Sequence, residues 1–243
     1  MTNLSYNMDT SEFQIEKEFH YLGKTYQTYA LHQYYPKNRF PDAEVDGDIR
    51  SVRQLTWNFK DGYGSEFIAT KIAQAIQAKR LVLSNSCLVV IPASTVYKSS
   101  RRFLNFCSML STKLGIANGY AAITTTDHEQ TKGHAGGNKI ATFTFNPSIY
   151  QGKTVYLFDD VCTSGTSFEQ VAEKLRSTGA SSVIGIFLAK TISSYNSMAF
   201  FDPGDVEQDF DDLVDFGQDE APDEMEDEVQ GPEDYEPNEE DYY

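Results

Sequence analysis

The stretch VYLFDDVCTSGTS, residues 155–167, decides the fold class of this protein and points to its functional site. The four residues that open it are a short apolar run, typical of a strand that is buried on both faces. Two carboxylates, Asp159 and Asp160, follow at the carboxyl end of this strand, where α/β sheets place their ligands. A turn of small polar residues then leads into a helix that we predict over Thr166–Ser177.

The turn formed by Thr163, Ser164, Gly165, Thr166 and Ser167 has the chemistry of a phosphate site. Its backbone N–H groups, its hydroxyls and the positive end of the helix dipole converge on one point. A phosphate beside carboxylates implies a bridging Mg²⁺ or a polyhydroxylated sugar between them. The alternative is a solvated Asp-Asp turn followed by an ordinary helix cap. The order of strand, acids, turn and helix favours the phosphate site.

Apolar patterning on both sides of this stretch predicts alternating strands and helices. A hairpin is expected over Phe19–Tyr35 around Gly23. Helices are expected from Ser65, with an isoleucine stripe at 68, 72 and 76, and over the segment that carries Phe103, Cys107, Leu110 and Leu114 and ends at Gly115. Further strands are expected over Leu81–Ile91, Tyr120–Ile123, Ala141–Phe145 and Val183–Leu188. The fold class is therefore α/β, with a mostly parallel sheet flanked by helices.

The formal charge of −16 is concentrated at the carboxyl end of the chain. Of the 36 acids, 20 lie between Phe201 and Tyr243, where there is no Lys or Arg, so residues 1–200 carry a net charge of +4. We predict that residues 201–243 are a disordered, solubilising acidic tail. Two sharper alternatives stay open. The acidic-aromatic cluster DFDDLVDFG, residues 209–217, would dock on a basic protein partner, or the tail would cover the basic site in cis.

Composition excludes several classes of protein. No run approaches the ~20 apolar residues of a membrane span, and the polar start of the chain lacks a secretory signal. Cys87, Cys107 and Cys162 are far apart and unpaired, so we read them as core residues of a reduced, cytoplasmic protein without a structural metal. Only three cations cluster, at positions 98–102, so direct nucleic-acid binding is a weak alternative.

Residues 155–167 resemble the signature of the type I phosphoribosyltransferases for phosphoribosyl pyrophosphate (PRPP): an apolar strand, two acids and a Thr/Ser-rich turn containing Gly. Tyr156 and Cys162 replace aliphatic residues of that pattern. Weaker matches resemble the ComF-like branch, namely Lys60 before the isoleucine-striped helix, Pro92 followed by Arg102 and Asn105, Gln130, Asn138 and Phe143 in and after a mobile loop, and Leu188-Ala-Lys-Thr191. The resemblance covers roughly residues 50–191, and the cysteine-rich zinc module common in that branch is absent.

The resemblance implies a role for each matching residue. Asp159 and Asp160 would be catalytic and hold the ribose hydroxyls, directly or through Mg²⁺ carried by PRPP, while the turn 163–167 holds the 5′-phosphate. Ala93, Ser94, Arg102 and Lys132 would bind the pyrophosphate, and the loop 124–139 would be a lid that excludes water. Thr163 stands where 6-oxopurine enzymes of this family carry an Asp base, which argues against a 6-oxopurine acceptor.

The predicted organisation is an N-terminal segment and hairpin over 1–48, which would form a small β-rich hood for the acceptor, a phosphoribosyltransferase-like domain over 49–200, and the acidic tail. The predicted function is transfer of the phosphoribosyl group from PRPP to a nitrogenous small-molecule acceptor in nucleotide metabolism, with release of pyrophosphate. The alternative is a non-catalytic PRPP- or nucleotide-binding regulator, or a ComF-like accessory protein in DNA uptake or processing. A homodimer is left open.

Overall fold

The computed structural model describes residues 11–126 and 140–192. The strands, in chain order, are β1 (Ile15–Tyr21), β2 (Lys24–Tyr34), β3 (Ser86–Val90), β4 (Ala117–Asn118), β5 (Ile123–Thr125), β6 (Phe143–Phe145), β7 (Thr154–Cys162) and β8 (Ser182–Thr191). The helices are α1 (Gly47–Lys60), α2 (Ser65–Ala78), α3 (Val96–Leu114), α4 (Pro147–Tyr150) and α5 (Thr166–Ser177).

Six strands form the central sheet in the order β1-β2-β8-β7-β3-β4. Every neighbouring pair is parallel except β1 with β2, which confirms the predicted α/β class with a mostly parallel sheet. Along β7, Tyr156 and Phe158 join a core with α1, α2 and α3, whereas Val155 and Leu157 join a core with α4 and α5. Both faces of β7 are thus covered by helices, which explains its continuous apolar run.

Four phenylalanines join α1, α3 and β7 on one face of the sheet. Phe106 of α3 stacks on Phe158 with ring centroids 4.3 Å apart, and Phe59 of α1 meets Phe106 at 5.2 Å. Phe103 completes the cluster, and none of the four rings is exposed to solvent. The helix α1 ends at Lys60 and α3 contains Arg102. Because the four phenylalanines fix both helices on the sheet, they also fix the positions of these two cations at its edge.

The predicted hairpin is confirmed as β1 and β2. Its two-residue turn contains Leu22 and Gly23, both with positive φ (47° and 73°), as the twist of a tight hairpin requires. β2 also pairs in parallel with β8, so the hairpin is continuous with the central sheet. The proposed boundary between residues 48 and 49 stays a prediction, as does the use of residues 1–48 as a hood.

The helix α1 lies where the sequence showed only scattered apolar residues. Asp46 caps it by accepting a hydrogen bond from the backbone N–H of Ile49 at 2.9 Å. The buried Arg53 donates to the backbone carbonyls of Tyr35 and Phe40, and pairs with Asp42. One guanidinium thereby holds the loop between β2 and α1 against the helix. This arrangement was not predictable, since its acceptors are mostly backbone carbonyls.

One predicted strand is wrong in type. Residues Tyr120–Ala122 form a 3₁₀ turn, and the chain becomes extended only at Ile123, where β5 pairs with β6 in a separate two-stranded antiparallel sheet. Gly119 explains the change of direction, because its α-carbon packs directly on β3. A Cβ at this position would lie 2.5 Å from the carbonyl oxygen of Leu88. The strand predicted over Leu81–Ile91 is also shorter, at Ser86–Val90.

Other sequence predictions hold. The three cysteines are free and buried, as expected for core residues. Gly115 ends α3 with a φ of 66°, and α5 has the predicted bounds. Among the helices of residues 11–126 and 140–192, none combines the length and the apolar character needed to cross a bilayer. The acidic tail lies outside the described residues.

We predict that Phe106→Ala lowers the free energy of unfolding by about 3–5 kcal/mol, because it leaves a cavity beside the rings of Phe59 and Phe158. Leu104→Ala, on the exposed side of the same helix, is the matched control and should cost less than about 1 kcal/mol. Urea unfolding of both variants measures the difference. Equal costs would show that the aromatic cluster does not hold α3 to the sheet.

Candidate functional site

Both acids of the signature belong to the central strand itself. β7 continues through Asp159 and Asp160 to Cys162, and its last residues still pair with β8. The expectation that the strand ends at Phe158 is therefore wrong by four residues. Pairing on the strand holds the two carboxylates rigidly at the carboxyl edge of the sheet, and Asp160 is only 6% exposed.

Asp160 forms an ion pair with Arg102 of α3. The Nη1 of Arg102 lies 2.6 Å from Oδ2 of Asp160, and both side chains are largely buried. The other carboxylate oxygen, Oδ1, accepts a hydrogen bond from the backbone N–H of Val161 at 2.7 Å. The Nε of Arg102 also points to the carbonyl of Lys60 at 3.4 Å. Arg102, predicted as a pyrophosphate ligand, thus lies against the second acid.

The surroundings of Asp159 disfavour the charged form of its carboxyl group. Burial, and then the negative charge of Asp160, raise the pKa of Asp159 to about 8. The backbone N–H of Asp160, which donates to Oδ1 of Asp159 at 2.8 Å, opposes this rise, as do the positive charges of Arg102 and Lys60. Burial and the neighbouring carboxylate thus favour the protonated form of Asp159, and a cation bound at the site would favour its ionised form.

The turn after β7 leaves the N-terminus of α5 open. Gly165 is the N-cap residue with a φ of 96°, and within the described part of the chain no side chain caps this helix. Of the other long helices, α1 and α3 are capped by Asp46 and Thr95, whereas α2 begins after Gly64 and, among the described residues, also has no side-chain cap. The hydroxyls of Ser164 and Thr166 lie 3.1 Å apart at the mouth of the turn. Uncapped N–H groups and two hydroxyls are what an anion needs at a helix N-terminus.

Residues of β8 and β1 contact this turn and hold it in place. Lys190 of β8 donates a hydrogen bond through Nζ to the backbone carbonyl of Thr163, and Thr191 approaches the hydroxyl of Thr163 at 3.5 Å. On the other side the ring of Phe19 lies against Gly165, where a Cβ would come within 2.2 Å of it. The role of Lys190 as a brace was missed by sequence reasoning. The observation that identifies Lys190 is its pairing with Cys162 between β8 and β7. That pairing is known only once the register of the two strands is known.

The predicted pyrophosphate loop lies at the same edge of the sheet. Ala93 and Ser94 are half-buried in the connection between β3 and α3, where the backbone N–H of Ile91 donates to the carbonyl of Phe158 at 3.0 Å. The structure thus brings together the acids, the turn, this loop and Arg102. Lys132 and most of the predicted lid, residues 127–139, lie outside the described residues.

The two carboxylates fit a magnesium ion that arrives with a ligand better than one held by protein alone. Within residues 11–126 and 140–192, no three His, Cys, Asp or Glu side chains come close enough together to hold a metal. Mg²⁺ commonly takes one or two carboxylates and completes its shell with water and substrate phosphates. The donor set at Asp159 and Asp160 is of this kind.

We predict that Gly165→Ala is far more damaging than Gly152→Ala. Both glycines have positive φ (96° and 72°), but a Cβ on Gly152 meets no atom within 4 Å. Gly152→Ala should therefore cost about 1 kcal/mol of stability through backbone strain alone. Gly165→Ala should cost about 1–3 kcal/mol more, because the ring of Phe19 must move. Chemical denaturation measures both, and equal losses would refute close packing at the turn.

We predict that Asp159→Asn raises the melting temperature, and increasingly so as the pH rises. A raised folded-state pKa means that the stability contributed by protonated Asp159 is fully present below about pH 4 and is lost as the pH climbs towards 8. Asn carries no charge and avoids this loss. Differential scanning calorimetry between pH 5 and 8 tests the trend, with the exposed Asp61→Asn as control. A difference independent of pH would contradict the burial of an ionisable Asp159.

Comparison with known proteins gives the following picture. No protein-family model and no curated protein sequence matches the chain. Among solved structures, similarity is found to an allosteric regulatory enzyme of purine biosynthesis (TM-score 0.36, 11% identity, 60% of this chain), to Leishmania donovani UMP synthase (0.32, 17%, 57%) and to adenine phosphoribosyltransferase from Thermoanaerobacter pseudethanolicus (0.33, 13%, 72%). The matches span 31%, 24% and 95% of those chains. Identities and TM-scores at this level do not assign the chain to a family.

Proposed function

We propose that this protein binds PRPP at the carboxyl edge of its central sheet and transfers the phosphoribosyl group to a nitrogenous small molecule. The observation that carries the proposal is that one strand presents a half-buried carboxylate, Asp159, and a buried one, Asp160, directly before an uncapped helix N-terminus. An anion at the turn and a polyhydroxylated group at the acids satisfy both features at once.

In this proposal the turn binds the 5′-phosphate. The first N–H groups of α5 and the hydroxyls of Ser164 and Thr166 donate to its oxygens, and Gly165 supplies the positive φ with which the turn enters the helix. Lys190 holds the carbonyl of Thr163 away from the anion, so that the turn presents donors only. Thr163 and Ser167 complete the cradle, which anchors one end of the substrate.

The two acids would hold the ribose hydroxyls and face the positive charge that develops on the ring as the bond from C1 to pyrophosphate breaks. When bound, Mg²⁺ would neutralise the leaving pyrophosphate. Because burial favours the protonated form of Asp159, a compensating cation that arrives with the substrate would favour its ionised form. Charge in the site would therefore be assembled together with the substrate.

Arg102 has two possible partners in this scheme. In the structure it pairs with Asp160 and orients that carboxylate. A pyrophosphate bound at Ala93 and Ser94 would offer oxygens to the same guanidinium, whose planar donors suit phosphate and carboxylate alike. Arg102 would then neutralise the leaving group while Asp160 turns to the ribose. Lys132 is proposed as a further pyrophosphate contact.

The acceptor is proposed to be a nitrogen base other than a 6-oxopurine. Thr163 stands at the position of the base that such acceptors need, and a hydroxyl does not take up a proton near neutral pH. The second candidate is a non-catalytic PRPP- or nucleotide-binding regulator, or a ComF-like accessory of DNA processing. The ion pair between Arg102 and Asp160 is the observation that favours this candidate. A guanidinium already paired with an acid of the site is compatible with ligand binding without turnover.

We predict that the wild-type protein binds PRPP with Mg²⁺ and that Asp159→Asn/Asp160→Asn weakens binding at least tenfold, about 1.4 kcal/mol. Isothermal titration calorimetry measures both affinities, and circular dichroism checks that the variant is folded. Asp61→Asn, which neutralises an exposed carboxylate outside the site, is the control. Wild-type binding no tighter than that of the site variant would refute the assignment.

A second measurement separates the two candidate functions. Pyrophosphate release is followed with PRPP, Mg²⁺ and a panel of purine, pyrimidine and other nitrogen bases. Release that depends on one base supports the transferase and identifies its acceptor. Tight PRPP binding without release in any mixture supports the regulator.

A further inference from the structure

An exposed, mainly aromatic patch lies beside the candidate site, on α2, α3 and the loop between α1 and α2. We define it by Tyr63, Phe67, Tyr97 and Leu104, whose exposed fractions are 64%, 43%, 69% and 48%. Tyr97 and Leu104 lie on one face of α3 with Arg101 between them, at the i, i+4, i+7 spacing that places residues in line along a helix. Large apolar side chains gathered in this way typically mark an interaction surface.

Close packing between a loop and α3 makes this patch continuous. Gly62 lies against the backbone of Arg101, where a Cβ would come within 2.6 Å of the Arg101 carbonyl oxygen. The next residue, Tyr63, therefore packs against α3, and the Arg101 guanidinium lies 5.9 Å from the centre of its ring. Phe67 follows one turn later on α2 and contacts the ammonium of Lys71 at 5.6 Å.

The patch is surrounded mainly by positive charge. The helix α3 contains four cations and no acid, and two of the cations, Lys98 and Arg101, are exposed at the patch end. Asp61 and Glu66 are the acids that border it. A second copy of the chain would place cations against cations, which disfavours self-association through this face. An acidic segment with apolar side chains is the complementary partner.

Such a segment is present in the chain itself. Residues 207–217 contain five acids, four apolar side chains and no Lys or Arg. We propose that this acidic segment docks on the aromatic patch of the same molecule, with its apolar side chains on the patch and its carboxylates near Lys98 and Arg101. The docking is independent of the function proposed above, because it uses none of the residues assigned to PRPP.

The path of the chain permits this contact. β3 and β8 are both parallel to β7, so α3 begins and the described chain ends at the same edge of the sheet. The patch end of α3 lies two strands and one helix layer from Ile192, on the order of 20 Å. The 17 residues between Ile192 and Phe210 reach up to about 60 Å when extended.

Photo-crosslinking in the full-length chain tests the proposal. With p-benzoylphenylalanine in place of Tyr97, irradiation should give an intramolecular adduct that peptide mass spectrometry maps to residues 207–217. The same probe in place of Val82, which is 64% exposed and lies just before β3 at the opposite edge of the sheet, is the control and should give no such adduct. Adducts only between two copies, or none into 207–217, would overturn the proposal.

Charge reversal tests the same contact from the other side. Lys98→Glu/Arg101→Glu should lower the yield of the Tyr97 adduct at least about fivefold, because like charges then face each other. Lys113→Glu at the far end of α3 should leave the yield unchanged. In the tail, Phe210→Ser/Phe216→Ser should lower it as well; both residues lie outside the described part of the chain. An unchanged yield in both test variants would contradict docking by this segment.

Discussion

The position of β7 between β3 and β8, with helices over both faces, is the constraint on which the rest of the structure depends. A strand that pairs along both edges and is covered on both faces is held in one register. The residue at which it leaves the core is therefore fixed. The side chains before that exit pack in the core, and those after it emerge at the sheet edge. Asp159 and Asp160 lie at this transition, so their location is as rigid as the core.

The same burial makes the site electrostatically costly. Two carboxylates at the edge of an apolar core repel each other and lose hydration. The fold places Arg102 against Asp160, and the pKa of Asp159 is raised. The turn that follows has no side-chain cap within the described residues, although the chain caps α1 and α3. Unfavourable features of this kind concentrate where a ligand can relieve them.

Patterns that depend on neighbouring residues were the predictable part of the fold and the site. The apolar run before Asp159, the helix from Thr166 and the glycine turn at Gly23 follow from local chemistry, and the structure confirms each of them. The type of the segment Tyr120–Ala122 was not predictable, because its turn is imposed by the packing of Gly119 on β3.

Contacts between distant parts of the chain were the unpredictable part of the site. Arg102 and Asp160 are 58 residues apart, and only the packing of α3 through its phenylalanines brings them together. Lys190 reaches Thr163 because β8 pairs with β7 in one particular register. The residue pattern around Arg102 does not show whether its guanidinium will meet a bound pyrophosphate or the carboxylate of Asp160.

By itself, then, the sequence determined the α/β class, the order of strand, acids, turn and helix, and the separation of a mildly basic body from an acidic tail. These depend on hydrophobic period, turn chemistry and charge count, which are properties of short segments. The tertiary structure alone decided the pairing of Arg102 with Asp160, the raised pKa of Asp159 and the bracing of the turn by Lys190 and Phe19. Those properties arise from burial and from long-range contacts, which exist only once the sheet has formed.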